Sequence, residues 1–394
     1  MLKQAINHVR DNILESPKFY YWVLCILTLH LVLRHSLIKA LHLSVYEELL
    51  TSKVITAVLY GTTYLCCVLS AYLMKNRLSK LYLYFWLYLF CLSLLNEIIF
   101  IINSDNYDFV SSVVSGQGFM NLRITFPLLF VCIWIKLDVK KGYTQLFLKI
   151  IYLITIINSI CVILGVIFSI SYFESYPLSG RWGYSGFLTR GYSVIFSSVF
   201  MLDILFKKNS LKNVVIYLLF FSVIFSGTKA GLFSLFLIVL AGFVKTIKAK
   251  LIASGLIVFF FTTSKYWFKE IIEFSDFWSS VYANHGLWGM VFSLRNKNVE
   301  IITQSVVNDY NIINWLFGGG VRSEDVWAEM SIFDLFVFYG LTGWLFALVF
   351  YYKTIPSIRH SVPMLVGFLS GNLIISSMAL IVYYLWLNES RKYA

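Results

Sequence analysis

Apolar residues along this chain come in long unbroken runs, without the short alternating patches of a soluble domain. Runs of about 17–25 residues match the length that crosses the hydrocarbon core of a bilayer as a helix. They fall at 19–36, 52–74, 80–102, 122–137, 146–170, 187–206, 211–227, 230–247, 249–265, 331–352 and 362–387. The pattern predicts an all-α, polytopic integral membrane protein of about 11–12 transmembrane helices, folded as one membrane domain over 1–394. The last run holds Gly371 and Asn372 and reads as one span, a broken helix or a re-entrant pair. The one long polar interruption, 266–330, predicts an outward-facing loop. Within it, Phe268 to Phe274 and Val299 to Val307 have the apolar spacing of helices lying on a membrane face.

Composition narrows the classes. Of 394 residues, 59% are hydrophobic and 13% charged, and the mean hydropathy is +0.76, which excludes a soluble enzyme with an anchor. Met1 to Lys18 carries charges of both signs and no apolar centre, so the first span is expected to stay in place. The cysteines lie inside apolar runs, with no CxxC and no Cys/His cluster, so no disulfide framework or zinc site is expected. No phosphate-binding or dinucleotide glycine loop occurs; neither a cofactor nor a metal is expected.

The net charge of +12 would suit nucleic acid, but its distribution points to a membrane. Every second connection is basic: Lys75, Arg77 and Lys80; Lys136, Lys140 and Lys141; Lys207, Lys208 and Lys212; Lys245, Lys248 and Lys250; Lys353 and Arg359. The positive-inside rule places these in the cytoplasm. The alternate connections, 103–121, 171–190, 226–229 and 266–330, then face outward. An odd number of spans would put Arg391 and Lys392 outside, against that bias.

The outward connections carry the candidate chemistry. Asn314 to Trp344 is a polar, glycine-rich loop running into an apolar helix, with Glu329 and Asp334 at the helix mouth. Acids there are explained by helix N-terminal charge or interfacial anchoring, or by a reactive carboxylate where water meets lipid. On one continuous helix the two would stand about 140° apart and about 7.5 Å along the axis. One is then the general base and the other an orienting group; Glu329, nearer the polar loop, is the expected base. Arg181, Arg190, Lys229 and Arg295 lie on the same outward side, and Arg322 and Asn372 join them as candidate substrate-binding residues. One outward arginine is usually a snorkelling anchor. Several around a carboxylate pair suit a diphosphate, whose oxygens guanidinium groups grip two at a time. A sugar donor activated by a lipid diphosphate needs both parts: charge stabilisation of the leaving group and a base for the acceptor hydroxyl.

Short segments in order carry a family resemblance over roughly 180–390. They are Arg181-Trp-Gly-Tyr-Ser-Gly-Phe, Gly227-Thr-Lys-Ala-Gly-Leu, Ser293-Leu-Arg-Asn, Leu316-Phe-Gly-Gly-Gly, Glu329-Met-Ser-Ile-Phe-Asp, Tyr339-Gly-Leu-Thr-Gly and Phe368-Leu-Ser-Gly-Asn. The chain resembles the bacterial O-antigen polymerase and O-antigen ligase family, membrane glycosyltransferases of the GT-C type. The resemblance implies an inverting, metal-independent polymerase of O-antigen or capsular polysaccharide in the cytoplasmic (inner) membrane, its active site facing outward. It implies undecaprenyl-diphosphate-linked oligosaccharides as donor and acceptor, and a chain-length regulator as a possible partner. The family's ligases carry a histidine where this chain has Glu329, which favours the polymerase. Lys229 stands where an arginine is usual, and Asn372 where a histidine is frequent. The alternatives are a ligase that transfers glycan to a lipid A core or a protein, and a flippase for lipid-linked sugars. Glu97 and Asp203, inside predicted spans, speak for the flippase.

Overall fold

The computed structural model describes residues 14, 16–41, 50–74, 78–103, 117–138, 142–176, 182–207, 214–243, 276–291, 295–319, 330–370, 373 and 376–391. Among them the chain is helical apart from turns and one antiparallel bridge between Glu174 and Tyr184. The helices are α1 (Pro17–Ala40), α2 (Leu50–Leu73), α3 (Lys80–Asn103), α4 (Gln117–Leu137), α5 (Tyr143–Phe168), α6 (Arg190–Phe206) and α7 (Val214–Phe225). They continue with α8 (Lys229–Phe243), α9 (Asp276–Val291), α10 (Arg295–Asp309), α11 (Ile312–Phe317), α12 (Ser331–Thr354), α13 (Val362–Ser370) and α14 (Ser377–Ser390). Five, namely α1, α2, α3, α5 and α12, are long and apolar enough to cross a membrane. The expected span at 249–265 and the expected helix at 268–274 lie outside the described residues.

The outer helices are apolar on two faces. On α1, Tyr20, Leu24, Leu27, Leu31, His35 and Ile38 point inward at helical spacing. Trp22, Ile26, Leu29, Leu33 and Leu37 point outward, 46–59% exposed. A contiguous apolar stripe facing out marks a lipid or partner surface. It repeats on α2 (Ile55, Val58, Leu65), α3 (Leu87, Leu94, Ile98) and α5 (Leu153, Ile157, Ile160).

Inside the ring stand α4 and α14. Leu128 to Trp134 of α4 and Ser377 to Leu387 of α14 are buried on every side, as expected of central helices. Pro127 interrupts α4. It has no N–H to give the Arg123 carbonyl one turn earlier, and the Ser377 hydroxyl of α14 donates to that carbonyl at 3.0 Å instead.

The run 362–387, read as one span, a broken helix or a re-entrant pair, contains two helices that fold back on each other, α13 and α14. Gly367 packs against Leu373 near the tip, and Tyr383 donates to the carbonyl of His360 at 2.8 Å at the base. Nine-residue α13 is only ~13 Å long. The pair starts and ends at one end of the bundle, where Arg391 donates to the Thr354 carbonyl at 2.5 Å. Arg391 therefore lies at the same end as Lys353 and Lys207. The run 331–352 is a bent helix, because Gly340 in α12 has φ 65° and ψ −171°. Within the runs 211–227 and 230–247 the described residues form α7 and α8, and 211–213 and 244–247 lie outside the described residues.

Candidate functional site at the loop-bearing end of the bundle

The segments 171–176 and 182–189 are knitted to each other and to the helix ends beneath them. Ser175 N–H donates to Gly183 O at 2.8 Å, and Ser185 N–H donates to Phe173 O at 2.9 Å. Asn158 of α5 reaches up, its Nδ2 donating to Ser185 O and Ser193 Oγ at 3.0 Å, while its Oδ1 accepts from Leu188 N–H. Lys39 of α1 spends its ammonium on the loop: on Glu174 O at 3.2 Å, Ser185 Oγ at 2.8 Å and Gly186 O. Gly183 has φ 151°, and a Cβ there would lie 2.5 Å from Ser226 O. The glycines of Arg-Trp-Gly-Tyr-Ser-Gly thus let backbone lie on backbone.

Two of the expected cations begin helices. Arg190 opens α6 and Lys229 opens α8. The helices run parallel, joined by a 2.5 Å hydrogen bond between Ser198 Oγ and Ser234 Oγ. Those serines are eight and five residues past the starts, so the two ends are level within about 5 Å. A cation at a helix N-terminus opposes the dipole by roughly 0.3–1 kcal/mol. Arg190 offsets this by lying over the Tyr176 ring, 4.6 Å from its centroid. Lys229 Nζ is enclosed by protein.

Asp334 lies in the first turn of α12 and is 4% exposed. It is the one fully buried acidic side chain among the described residues. α12 begins at Ser331, with Met330 extended before it. Glu329 lies outside the described residues, so the expected 140° separation falls there too. Asp334 shares the end of Arg190 and Lys229. Five residues on, Tyr339 OH donates to Asn121 Oδ1 near the start of α4 at 3.0 Å, and the Thr189 N–H preceding Arg190 donates to His35 near the end of α1 at 3.4 Å.

The Gly-Gly-Gly loop and the Tyr-Gly-Leu-Thr-Gly stretch meet in one joint. Backbone of Leu316 and Phe317 fills the bend at Gly340, and Gly318 lies on Phe338 and Tyr339 backbone. The α12 carbonyls at the bend are taken up from outside: Val337 O by Tyr310 OH at 3.0 Å and by Gly319 N–H at 3.3 Å, Phe338 O by Asn96 Nδ2 at 2.6 Å. Arg295 is the first residue of α10, ~22 Å along that helix from the Tyr310 anchor. The structure therefore groups Arg190, Lys229 and Asp334 at one end and sets Arg295 at the far end of a docked helix. Arg181, Glu329, Arg322 and Asn372 lie outside the described residues.

A second group of cations was not anticipated. A cleft between α1, α2, α4, α6 and α14 is lined by His30, Leu31, Arg34, Thr56, Tyr60, Arg123, Tyr192 and Ser377. His30 Nε2 is 3.0 Å from Thr56 Oγ1. Buried His35 lies in the electrostatic range of Arg34, Lys39, Arg123 and His30, and Tyr60 and Tyr192 in that of both arginines. The signal was legible: His30, Arg34, His35 and Arg123 are ionisable residues inside apolar runs, which mark function in membrane helices by default. Asp203, by contrast, has structural work, accepting from Trp386 Nε1 at 3.1 Å and pairing with Lys207 at 2.7 Å. In comparisons with known proteins, no family model, no curated protein and no solved structure matches this chain.

Proposed function

We propose that this chain is a metal-independent membrane glycosyltransferase that polymerises lipid-diphosphate-linked oligosaccharide repeats, of the O-antigen or capsular kind, on the outer face of a bacterial cytoplasmic membrane. One observation carries the reading. Parallel helices α6 and α8 both begin with a cation, Arg190 and Lys229, at the end where α12 buries Asp334. A diphosphate near those two helix starts would meet the Arg190 guanidinium and both dipoles, with the enclosed Lys229 charge behind them.

In this reading the acceptor sugar hydroxyl attacks the anomeric carbon of the donor. The bond from that carbon to the diphosphate oxygen breaks, the lipid diphosphate leaves with the electron pair, and the configuration inverts. The hydroxyl proton passes to a carboxylate: Glu329 as base, with Asp334 holding the acceptor or the loop in place. Arg181, Arg190, Lys229 and Arg322 supply positive charge to the leaving group, and Asn372 a hydrogen bond to substrate. A flippase of lipid-linked sugars is the second reading, favoured by His30, Arg34 and Arg123 lining a cleft inside the helical bundle.

The test uses purified full-length protein in liposomes with lipid-linked repeats. Polymerisation is expected, lost in Glu329→Gln and partly retained in Asp334→Asn. Transfer of intact lipid-linked repeats across the bilayer without new glycosidic bonds would replace this reading with the transport one. Full polymer from both variants would remove the carboxylates from the chemistry.

A further inference from the structure

We infer that the segment from Tyr310 to Gly319, inside the stretch expected to be an outward loop, is immersed in the bilayer beside α12 and α3, with lipid acyl chains covering its open face. Two helices measure its depth from the same boundary. Lys353 and Lys80 stand at the basic ends of α12 and α3 and mark one face of the membrane. The Gly340 bend, filled by Leu316 and Phe317 backbone, lies 13 residues along α12 from Lys353, or ~20 Å. Asn96, which lies against Gly319 and donates to the Phe338 carbonyl, is 16 residues along α3 from Lys80, or ~24 Å. A hydrocarbon core is about 30 Å thick, so the joint stands roughly 6–10 Å beneath the opposite boundary. Tilt of either helix sets it deeper.

The chemistry of the segment suits that depth. No residue from Tyr310 to Gly319 is charged, and Asp309 closes α10 just before it. Ile312, Ile313 and Trp315 of α11 are 76%, 50% and 43% exposed. Past the joint the apolar surface continues on α12 as Leu341, Leu345 and Val349, one turn apart and 42–51% exposed. The open face of α11 is therefore continuous with a lipid-facing stripe. Its backbone ends are closed by protein. Asn311 Oδ1 accepts from the N–H groups of Ile313 and Asn314 at 2.9 and 3.0 Å, and Asn314 Nδ2 donates to Gly318 O at 3.2 Å. Thr342 of α12 donates its hydroxyl to Leu316 O at 2.7 Å. In water such groups bond to solvent; in hydrocarbon only the protein can supply their partners.

The experiment is photo-crosslinking of the full chain in phosphatidylcholine nanodiscs, with p-benzoylphenylalanine in place of Ile312, of Leu345 on the α12 stripe, or of exposed Lys297 near the far end of α10. Mass spectrometry of the irradiated protein is expected to find acyl-chain adducts at 312 as at 345, and none at 297. Adducts at 345 without any at 312 overturn the inference. So does crosslinking of 312 to a second copy of the chain, which would make protein the cover. A second measurement does not depend on the bulky crosslinker. Hydrocarbon disfavours the thiolate, so Ile312→Cys should react with an impermeant thiol reagent roughly tenfold or more slowly than Lys297→Cys. Equal rates at the two positions would put α11 in water and overturn the inference. The inference rests on the membrane fold and not on polymerisation, so each can fail while the other stands.

Discussion

The Ser377 hydroxyl donates at 3.0 Å to the Arg123 carbonyl, the acceptor that Pro127 leaves open in α4. One missing N–H thus becomes the point at which the two central helices are joined, beside the cationic cleft. Ser377→Ala should lower stability by about 1–3 kcal/mol, the cost of a buried acceptor left unmade. Pro127→Ala restores a local donor for that carbonyl. In its background the Ser377 substitution should cost less. Thermal unfolding in detergent of the four proteins of the cycle measures the coupling, and strict additivity would show that the two residues act independently.

Gly340 should tolerate no side chain. Its φ of 65° with ψ −171° is a conformation open essentially to glycine alone, and a Cβ would stand 2.5 Å from Leu316 O. Gly142 is the contrast, with φ 70° and nothing within 4 Å of its Cβ position. Gly142→Ala is expected to cost about 1–2 kcal/mol from backbone preference alone. Gly340→Ala should cost more, because α11 must also move off α12. Fluorescence-detected gel filtration after a temperature series separates them, and equal losses would deny the close docking.

Lys39 ties segment 171–176 to segment 182–189. Lys39→Met keeps the stem and removes the donors to Glu174 O, Ser185 Oγ and Gly186 O. Bonds from a charged donor are worth about 1.5–3 kcal/mol. Amide exchange across 182–189 should quicken by roughly tenfold to a hundredfold while exchange in α14 stays unchanged. Unchanged loop exchange would show that the Asn158 bonds suffice.

The C-terminal end and the Lys207 end should share one side of the membrane. Arg391 bonds the end of α12, and Trp386 bonds Asp203 one turn before Lys207. Single cysteines in place of Arg391 and Lys207 should react with an impermeant thiol reagent only after the cells are opened. A cysteine in place of exposed Trp182, at the opposite end, should react in intact cells. Labelling of the 391 position from outside would contradict the re-entrant pair.

Stability should fall on acidification through His360. Its ring lies between Phe206 and Trp386 with Nδ1 2.8 Å from Ser357 Oγ. Burial first, and the neighbouring Arg359 charge second, lower its pKa below the ordinary 6.5. The unfolded chain then takes up a proton below about 6.5 that the folded chain refuses, so folding stability is complete above that pH and declines beneath it. His360→Gln should melt at a lower temperature at pH 7.5 but with a flatter dependence between pH 7.5 and 5. A slope equal to wild type would assign the acid sensitivity elsewhere.

The sequence by itself determined the class of protein. Unbroken apolar runs of bilayer length leave helices as the only structure that satisfies the backbone in lipid. Five such helices stand in the structure, and the positions of α6, α10 and the turn before Lys229 were legible from the same pattern. It also placed Arg190 and Asp334 at helix mouths, because polar loop meets apolar run there; Lys229 it read as part of the turn, and the structure makes it the first residue of α8.

Tertiary structure decided what hydropathy cannot distinguish. A 26-residue apolar stretch has the same composition whether it spans once or turns back, and the contacts of Gly367, Tyr383 and Arg391 chose the hairpin. The glycines of two separate stretches proved to be one joint, since only packing reveals which backbones approach. Arg34 and Arg123 lie 89 positions apart; no local pattern links them, and they meet because α4 is central and α1 lies against it.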